Sequence, residues 1–196
     1  MDRETKKFWR QQRRQMLQRD RRMRGGWHQG SPITITLIGL MVVGWLIELI
    51  LPSALLEIAI LPGGRWLSIL VATVLPSGLL GLLFSGLFVW IVGPAVESVA
   101  KPVIYLLIFF GGGIVGGLVT NFMGSNASAG YAAFGLAGAY VYLMSRINQR
   151  GAMQWALLLL VMNAVFSGFQ PSLLVGEASA FVAGLAVAAA TEVGSR

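Results

Sequence analysis

The stretch that decides the fold is SAGYAAFGLAGAYVY, from Ser128 to Tyr142. It is largely apolar and carries closely spaced small residues: Ala129, Gly130, Ala133, Gly135, Gly138 and Ala139. Helices in a bilayer gain little by hiding apolar side chains from each other, because lipid is equally apolar, and they pack tightly where small residues let their backbones approach. The stretch therefore predicts a central helix that is buried among the other helices of a membrane protein.

The composition supports an integral membrane protein. The 196 residues are 56% hydrophobic and 12% charged, with a mean hydropathy of +0.71, whereas about a quarter of the residues in soluble proteins are charged. A chain this apolar is expected to cross a bilayer several times. Its cysteine count is zero, which excludes disulfides and thiol chemistry. Since it has one histidine, its sequence predicts no metal site, and no cofactor is predicted.

Residues 1–30 are predicted to form a basic cytoplasmic tail, separate from a membrane domain at residues 31–196. Ten of the 15 Lys and Arg residues precede Ser31, so the positive charge belongs to this tail and does not indicate nucleic-acid binding. One interpretation is attraction to anionic lipid, worth about 1 kcal/mol per basic residue near the surface. The residues proposed for that contact are Arg13, Arg14, Arg21 and Arg22. The other is a protein-docking helix, because Trp9, Met16 and Met23 recur every seven residues.

Six membrane spans are predicted along the rest of the chain. They are Ile33 to Leu51, Gly78 to Val92, Pro102 to Phe122, the stretch from Ser128 toward Arg146, Gly151 to Phe169, and Leu173 to Ala190. Between the first two spans, Pro52 to Ser77 holds only short apolar runs, which suit an interfacial or re-entrant segment better than a span. The tail, Lys101, Arg146, Arg150 and Arg196 fall on one side, so both termini are predicted to be cytoplasmic.

Three motifs resemble those of the rhomboid intramembrane proteases. Phe134 to Ala139 resembles the helix that follows the nucleophile of the family, Gly93 to Glu97 resembles its Gly-Pro-x-x-Glu turn, and Ala183-Gly184 resembles part of its last helix. The resemblance runs from about Ile33 to Ala190. It implies an all-α membrane protein, a six-transmembrane-helix bundle with a partly membrane-embedded first loop.

The positions that carry catalysis in this family hold other residues here. The serine nucleophile corresponds to Gly130, the histidine base to Glu177, and the oxyanion-stabilising His and Asn to Gly81 and Ser85. A carboxylate is a weak base toward an alcohol near neutral pH, and glycine offers no donor to an oxyanion. The only histidine, His28, lies in the tail. We therefore predict a catalytically inactive member and no enzymatic activity.

Inactive members of the family, including derlins, bind transmembrane segments of other proteins. The resemblance thus implies a protein that binds, stabilises or chaperones membrane partners, possibly as a subunit of a complex. Candidate contacts are Glu177, Tyr131, Phe88 and Trp90. An acid inside a membrane span indicates a functional role, although Glu177 could also be hydrated from the outer face and have no specific role.

The alternative functions are transport of a small solute through a hydrated cavity and lipid handling. The expected location is a bacterial plasma membrane.

Overall fold

The computed structural model describes residues 31–51, 64–124, 128–146 and 170–193, together with residues 154, 158 and 161. Six helices lie in these ranges: α1 (Pro32–Ile50), α2 (Gly64–Ala72), α3 (Gly78–Glu97), α4 (Pro102–Phe122), α5 (Ala129–Arg146) and α6 (Pro171–Ala190). The tail, most of the first loop and almost all of the predicted fifth span, 151–169, lie outside the described residues.

Four of the helices are long and apolar enough to cross a membrane. These are α1, α3, α4 and α6, with mean hydropathies of 2.3, 2.2, 2.2 and 1.9. The protein is accordingly an all-helical integral membrane protein. The predicted fourth span, α5, has 18 residues but is not among these four. All its residues from Tyr131 to Ala139 are buried, so they meet other helices and need not be as apolar as a lipid-facing surface.

Helix α5 lies at the centre of the bundle and packs against α3, α4 and α6. Its closest contacts form a small-residue seam, defined here as Gly112 of α4, Gly135 and Gly138 of α5, and Gly184 of α6. A methyl group added at Gly112 would lie 2.6 Å from the Cα of Gly135. Methyl groups at Gly138 and Gly184 would overlap the carbonyl oxygens of Phe181 and Gly135. The predicted central, buried helix is confirmed, and glycine is what lets these backbones touch.

The start of α1, the end of α3 and the start of α4 are joined through the carboxylate of Glu97. It accepts the backbone N–H groups of Ile33 at 2.9 Å and of Thr34 at 2.8 Å, and the Thr34 hydroxyl at 2.6 Å. Thr34 in turn shares a 2.9 Å hydrogen bond with Tyr105 of α4. The first N–H groups of a helix have no partner within the helix, and the helix dipole there favours an anion. Glu97 thus caps α1 and fixes its position.

The segment from Gly93 to Glu97 differs from the prediction. It was expected to be a turn after a span ending at Val92, but α3 continues through Pro94 and ends at Glu97. The bonds from Glu97 to α1 hold this last turn in place. Gly93 leaves room for the joined side chains, since a methyl group there would lie 2.7 Å from Cγ2 of Thr34.

The described part of the first loop consists of α2 and the turn after it. The nine residues of α2 extend about 14 Å, which is too short to cross a bilayer core of about 30 Å. Trp66 is exposed, whereas Thr73 is buried against α4, where a methyl group at Gly113 would lie 2.5 Å from its Cγ2. The carbonyl of Leu75 accepts the N–H of Ala129 at 2.9 Å. The end of the loop is therefore attached to α4 and α5.

Candidate functional site

The candidate site lies at the end of the bundle opposite Lys101 and Arg146. Lys101 precedes α4 and Arg146 ends α5, so the exposed cations of these two antiparallel helices mark one end. The other end is formed by the C-terminal part of α4 and the N-terminal parts of α3, α5 and α6. All four residues at the catalytic positions of the resemblance are in these parts, and together we call them the vestigial site: Gly81, Ser85, Gly130 and Glu177.

Gly130, at the nucleophile position, is the second residue of α5 and has space around it. Only one atom of the described residues, the Ser128 hydroxyl oxygen at 3.5 Å, would lie within 4 Å of a methyl group added there. That distance is an ordinary van der Waals contact. Packing against the described residues therefore does not require glycine at this position and leaves room for a methyl group.

Glu177, at the position of the base, is 4% exposed on α6. Its neighbour Gly176 faces α4 and α5, because a methyl group at Gly176 would lie 2.9 Å from the Tyr131 ring and would overlap the Thr120 hydroxyl. The residue that precedes Glu177 thus lies beside a buried phenol and a buried alcohol. None of these side chains has the ready basicity toward a serine hydroxyl that an imidazole provides.

Tyr131 was predicted to offer an aromatic face to a partner, and the structure places its ring inside the bundle. It is 2% exposed and lies between Gly116 of α4 and Gly176 of α6, since methyl groups at these two glycines would be 2.8 and 2.9 Å from the Tyr131 side chain. The two glycines make a slot that a flat ring fills. The Tyr131 ring therefore packs between α4 and α6 beneath the vestigial site and is not available at the surface for a partner.

The oxyanion positions offer little hydrogen-bonding capacity. Ser85 is 4% exposed, and its hydroxyl donates at 2.5 Å to the carbonyl of Gly81, one turn earlier in α3. A serine hydroxyl has a single proton, so this bond leaves none to donate to a developing negative charge. Gly81 itself contributes no side chain.

The two aromatic candidates on α3 point in different directions. Phe88 is 8% exposed and packs on Phe134 of α5, with ring centroids 5.6 Å apart. Trp90 is 43% exposed and lies on the same outward-facing stripe as Leu83 and Leu87. We call Leu83, Leu87 and Trp90 the outer face of α3. The lipid-binding candidates Arg13, Arg14, Arg21 and Arg22 lie outside the described residues.

Sequence reasoning missed two polar residues. Thr120 is 0% exposed and donates to the Gly116 carbonyl at 2.8 Å. In the sequence, only its hydroxyl within a glycine-rich span could have identified it as a buried polar residue. Thr34 was not singled out from the sequence, although its place near the start of the first span could have suggested a role at that helix end. Glu97 was recognised as part of a motif, but the cap that it makes on α1 was not predicted.

Comparison with protein families gives one match that covers most of these elements. A family model described as "Rhomboid domain" matches residues 63–193, about two thirds of the 196-residue chain. The matched range contains helices α2 to α6 and every residue of the vestigial site. Comparison with curated proteins finds no match.

Proposed function

The chain belongs to the rhomboid family, and we propose that it is a non-catalytic member that binds transmembrane helices of other membrane proteins. It would stabilise or chaperone them, possibly as a subunit of a membrane complex. In this proposal the bundle supplies a rigid surface within the bilayer, and the vestigial site supplies a polar end to that surface without cleaving what is bound.

The observation that carries the proposal is the state of the vestigial site. The nucleophile position is Gly130, where the described residues leave room for a methyl group, and the base position is Glu177. The hydroxyl of Ser85 is engaged by its own helix. Peptide hydrolysis by a serine needs an activated hydroxyl and donors for the oxyanion. The absence of both roles at these positions supports a binding protein over a protease.

The outer face of α3 is the surface that we propose for the partner helix. Leu83 is 56% exposed, Leu87 59% and Trp90 43%, and they recur at helical spacing. Val161, in the predicted fifth span, is 51% exposed. The bound transmembrane helix of the partner would lie between Val161 and α3. Phe88 is buried, so it would shape this surface by holding α3 against α5. Glu177 would accept hydrogen bonds from a polar segment of the partner at the outer membrane boundary.

The proposed setting is a bacterial plasma membrane with both termini in the cytoplasm. Exposed Lys101 and Arg146 share the end of the bundle at which α1 begins, and Lys and Arg are concentrated in cytoplasmic loops. The basic tail would then lie beside anionic lipid.

Replacement of Arg13, Arg14, Arg21 and Arg22 by Gln should weaken binding to anionic vesicles, most strongly at low salt. Equal binding at all salt concentrations would count against this role.

Crosslinking in membranes tests the partner surface. A photocrosslinking residue at Leu87 or Val161 should capture a discrete membrane protein, whereas the same residue at buried Phe88 should capture little. Capture should survive gentle-detergent purification as a fixed ratio of partner to chain. If capture occurs only from exposed Val103 of α4, the partner uses another side of the bundle.

Activity measurements test the non-catalytic part. The purified protein should leave model transmembrane substrates intact, and fluorophosphonate probes should not label it. Labelling that disappears in Ser128→Ala would identify Ser128 as a nucleophile and would end the pseudoprotease proposal.

A further inference from the structure

Helices α4 and α5 pack antiparallel in a register that their closest contacts define. A methyl group at Gly112 would lie 2.6 Å from the Cα of Gly135, and one at Gly116 would lie 2.8 Å from Cβ of Tyr131. A step of one turn forward on α4 thus corresponds to the same step backward on α5. Residues of the two helices that keep this relation lie at the same level of the bundle.

This register brings two exposed basic residues, Lys101 and Arg146, level with each other. Lys101 precedes Gly112 by as many residues as Arg146 follows Gly135, namely 11. Because an α-helix rises about 1.5 Å per residue, each cation lies roughly 16 Å from the glycine contact, at the same end of the bundle. We call Lys101 and Arg146 the cationic pair.

The electrostatics of the cationic pair favour an anion from outside the chain. Lys101 is the N-cap residue of α4 and makes no side-chain capping hydrogen bond, and the helix dipole gives that end a partial positive charge. Arg146 adds a second full charge at the same level. Glu97, one turn before Lys101, is bonded to the start of α1 instead. Within the described residues, no carboxylate forms an ion pair with either cation.

Arg146 is positioned by an aromatic ring and keeps its donors. Its guanidinium carbon lies 5.5 Å from the centroid of the Tyr142 ring, one turn earlier in α5, which is within the range of a cation–π contact. A guanidinium has five N–H donors, and no oxygen of the described residues accepts a hydrogen bond from them. Arg and Lys at one level therefore offer the planar donors and the compact charge that phosphate oxygens bind.

The cationic pair borders an exposed apolar surface of α4. Val103 is 68% exposed and Leu107 is 53% exposed, and they lie one turn apart directly after Lys101. Helix α4 is long and apolar enough to cross a membrane, so this surface faces acyl chains and Lys101 lies at the boundary of the bilayer. A ligand with an anionic end and an apolar chain matches both parts, whereas a free phosphate ion matches only the first.

We propose that the cationic pair binds the headgroup of an anionic phospholipid at the cytoplasmic boundary of the bilayer. The phosphate oxygens would accept hydrogen bonds from Lys101 and Arg146, and an acyl chain would lie along Val103 and Leu107. The lipid would supply an anion to the N-terminus of α4 and would link α4 to α5. Basic residues between transmembrane helices on the cytoplasmic side suit such headgroups. This site is separate from the basic tail and from the partner surface on α3.

Thermal unfolding of the purified full chain in detergent with added lipid tests the proposal. To remove the contribution of the tail, four of its arginines are first replaced by Gln: Arg13, Arg14, Arg21 and Arg22. Phosphatidylglycerol should raise the unfolding midpoint by about 3–5 °C for each tenfold increase above its dissociation constant, and phosphatidylcholine and inorganic phosphate should not. Joint replacement of Lys101→Gln and Arg146→Gln should abolish this response. Arg65→Gln, which removes a cation predicted to lie on the other side of the membrane, should retain it.

Native mass spectrometry keeps the proposal testable if the double variant is unstable. The folded chain with the substituted tail should retain phosphatidylglycerol in preference to phosphatidylcholine. Tyr142→Leu, which removes the ring but keeps both charges, should bind it about two- to fivefold more weakly. Equal responses to the two lipids, or an undiminished response in the double variant, would overturn the proposal. An equal response to inorganic phosphate would also overturn it, because the ligand would then be a free anion. Both measurements use the chain alone, so neither depends on whether it binds a transmembrane partner.

Discussion

The small-residue seam and the vestigial site both contain glycine, but the two regions tolerate a side chain very differently. In the seam, a methyl group at Gly138 or Gly184 would overlap a backbone carbonyl of the neighbouring helix. In the vestigial site, the one described atom outside the surrounding helix that a methyl group at Gly130 would approach within 4 Å is the Ser128 hydroxyl oxygen, at 3.5 Å. Both regions involve the same helix, α5.

The difference separates the needs of the fold from the needs of catalysis. Seam glycines are required because helices in lipid associate through close backbone contact. No described helix contact requires Gly130 in this way, so its presence removes a possible nucleophile without tightening the packing between the described helices. The packing of the bundle therefore does not depend on which residue occupies the nucleophile position, and the two regions should respond to mutation in opposite ways.

The largest effect is expected in the seam. Gly184→Leu and Gly138→Leu each place a branched side chain against a backbone that cannot move without displacing a whole helix. Overpacking of this kind costs about 1–3 kcal/mol or more, and contact with backbone argues for the upper end. The midpoint of thermal unfolding in detergent should fall sharply, or the protein should fail to accumulate.

Gly111→Leu provides the matched control for these variants. Gly111 also lies within a span, but no described atom outside its own helix surroundings lies within 4 Å of a methyl group added there. Its substitution should leave stability nearly unchanged. An equal loss in Gly111→Leu and Gly184→Leu would mean that bulk alone, and not the helix contact, destabilises the bundle.

The next largest effect is expected for Glu97, an acid that serves the fold. Glu97→Ala removes the acceptor of two backbone N–H groups and of the Thr34 hydroxyl. Hydrogen bonds to charged groups contribute about 1.5–3 kcal/mol each, with non-additivity, so a loss of about 2–4 kcal/mol is expected in denaturant or thermal unfolding. Glu97→Gln keeps acceptor oxygen and should lose less; identical losses would show that hydrogen bonding is not the cause.

The sequence was most informative where a requirement is local. Closely spaced small residues predicted a buried α5, and long apolar runs predicted the bounds of α1 and α4 to within one residue. The Glu97 cap was not predictable in this way, because Thr34 is 63 residues away in the chain. The inward orientation of Phe88 and Tyr131 was missed for a similar reason: it depends on Phe134 in one case and on Gly116 and Gly176 in the other.

A smaller effect, with the opposite sign, is expected at the end of α6. Glu192 has a φ of +48°, and the N–H of Val193 bonds to the Ala188 carbonyl at 3.1 Å, an arrangement in which glycine is usual. Here the backbone favours glycine and the chain has Glu, the reverse of Gly130. Glu192→Gly should stabilise the protein by about 0.5–1 kcal/mol. Glu192→Ala should not, and a gain in both variants would point to charge as the cause.

The smallest change in stability is expected at Gly130, and this prediction tests most directly the difference between the small-residue seam and the vestigial site. Gly130→Ala and Gly130→Ser should alter the free energy of unfolding by less than about 0.5 kcal/mol, because the added atoms enter open space. Gly130→Ser should also remain unlabelled by fluorophosphonate probes. The new hydroxyl would have Glu177 where a rhomboid protease has its histidine, and the Ser85 proton is already donated to Gly81. Replacing the nucleophile alone thus restores neither base nor oxyanion donors. Strong labelling of Gly130→Ser would show that the site still activates a serine, and that Gly130 alone accounts for the loss of chemistry.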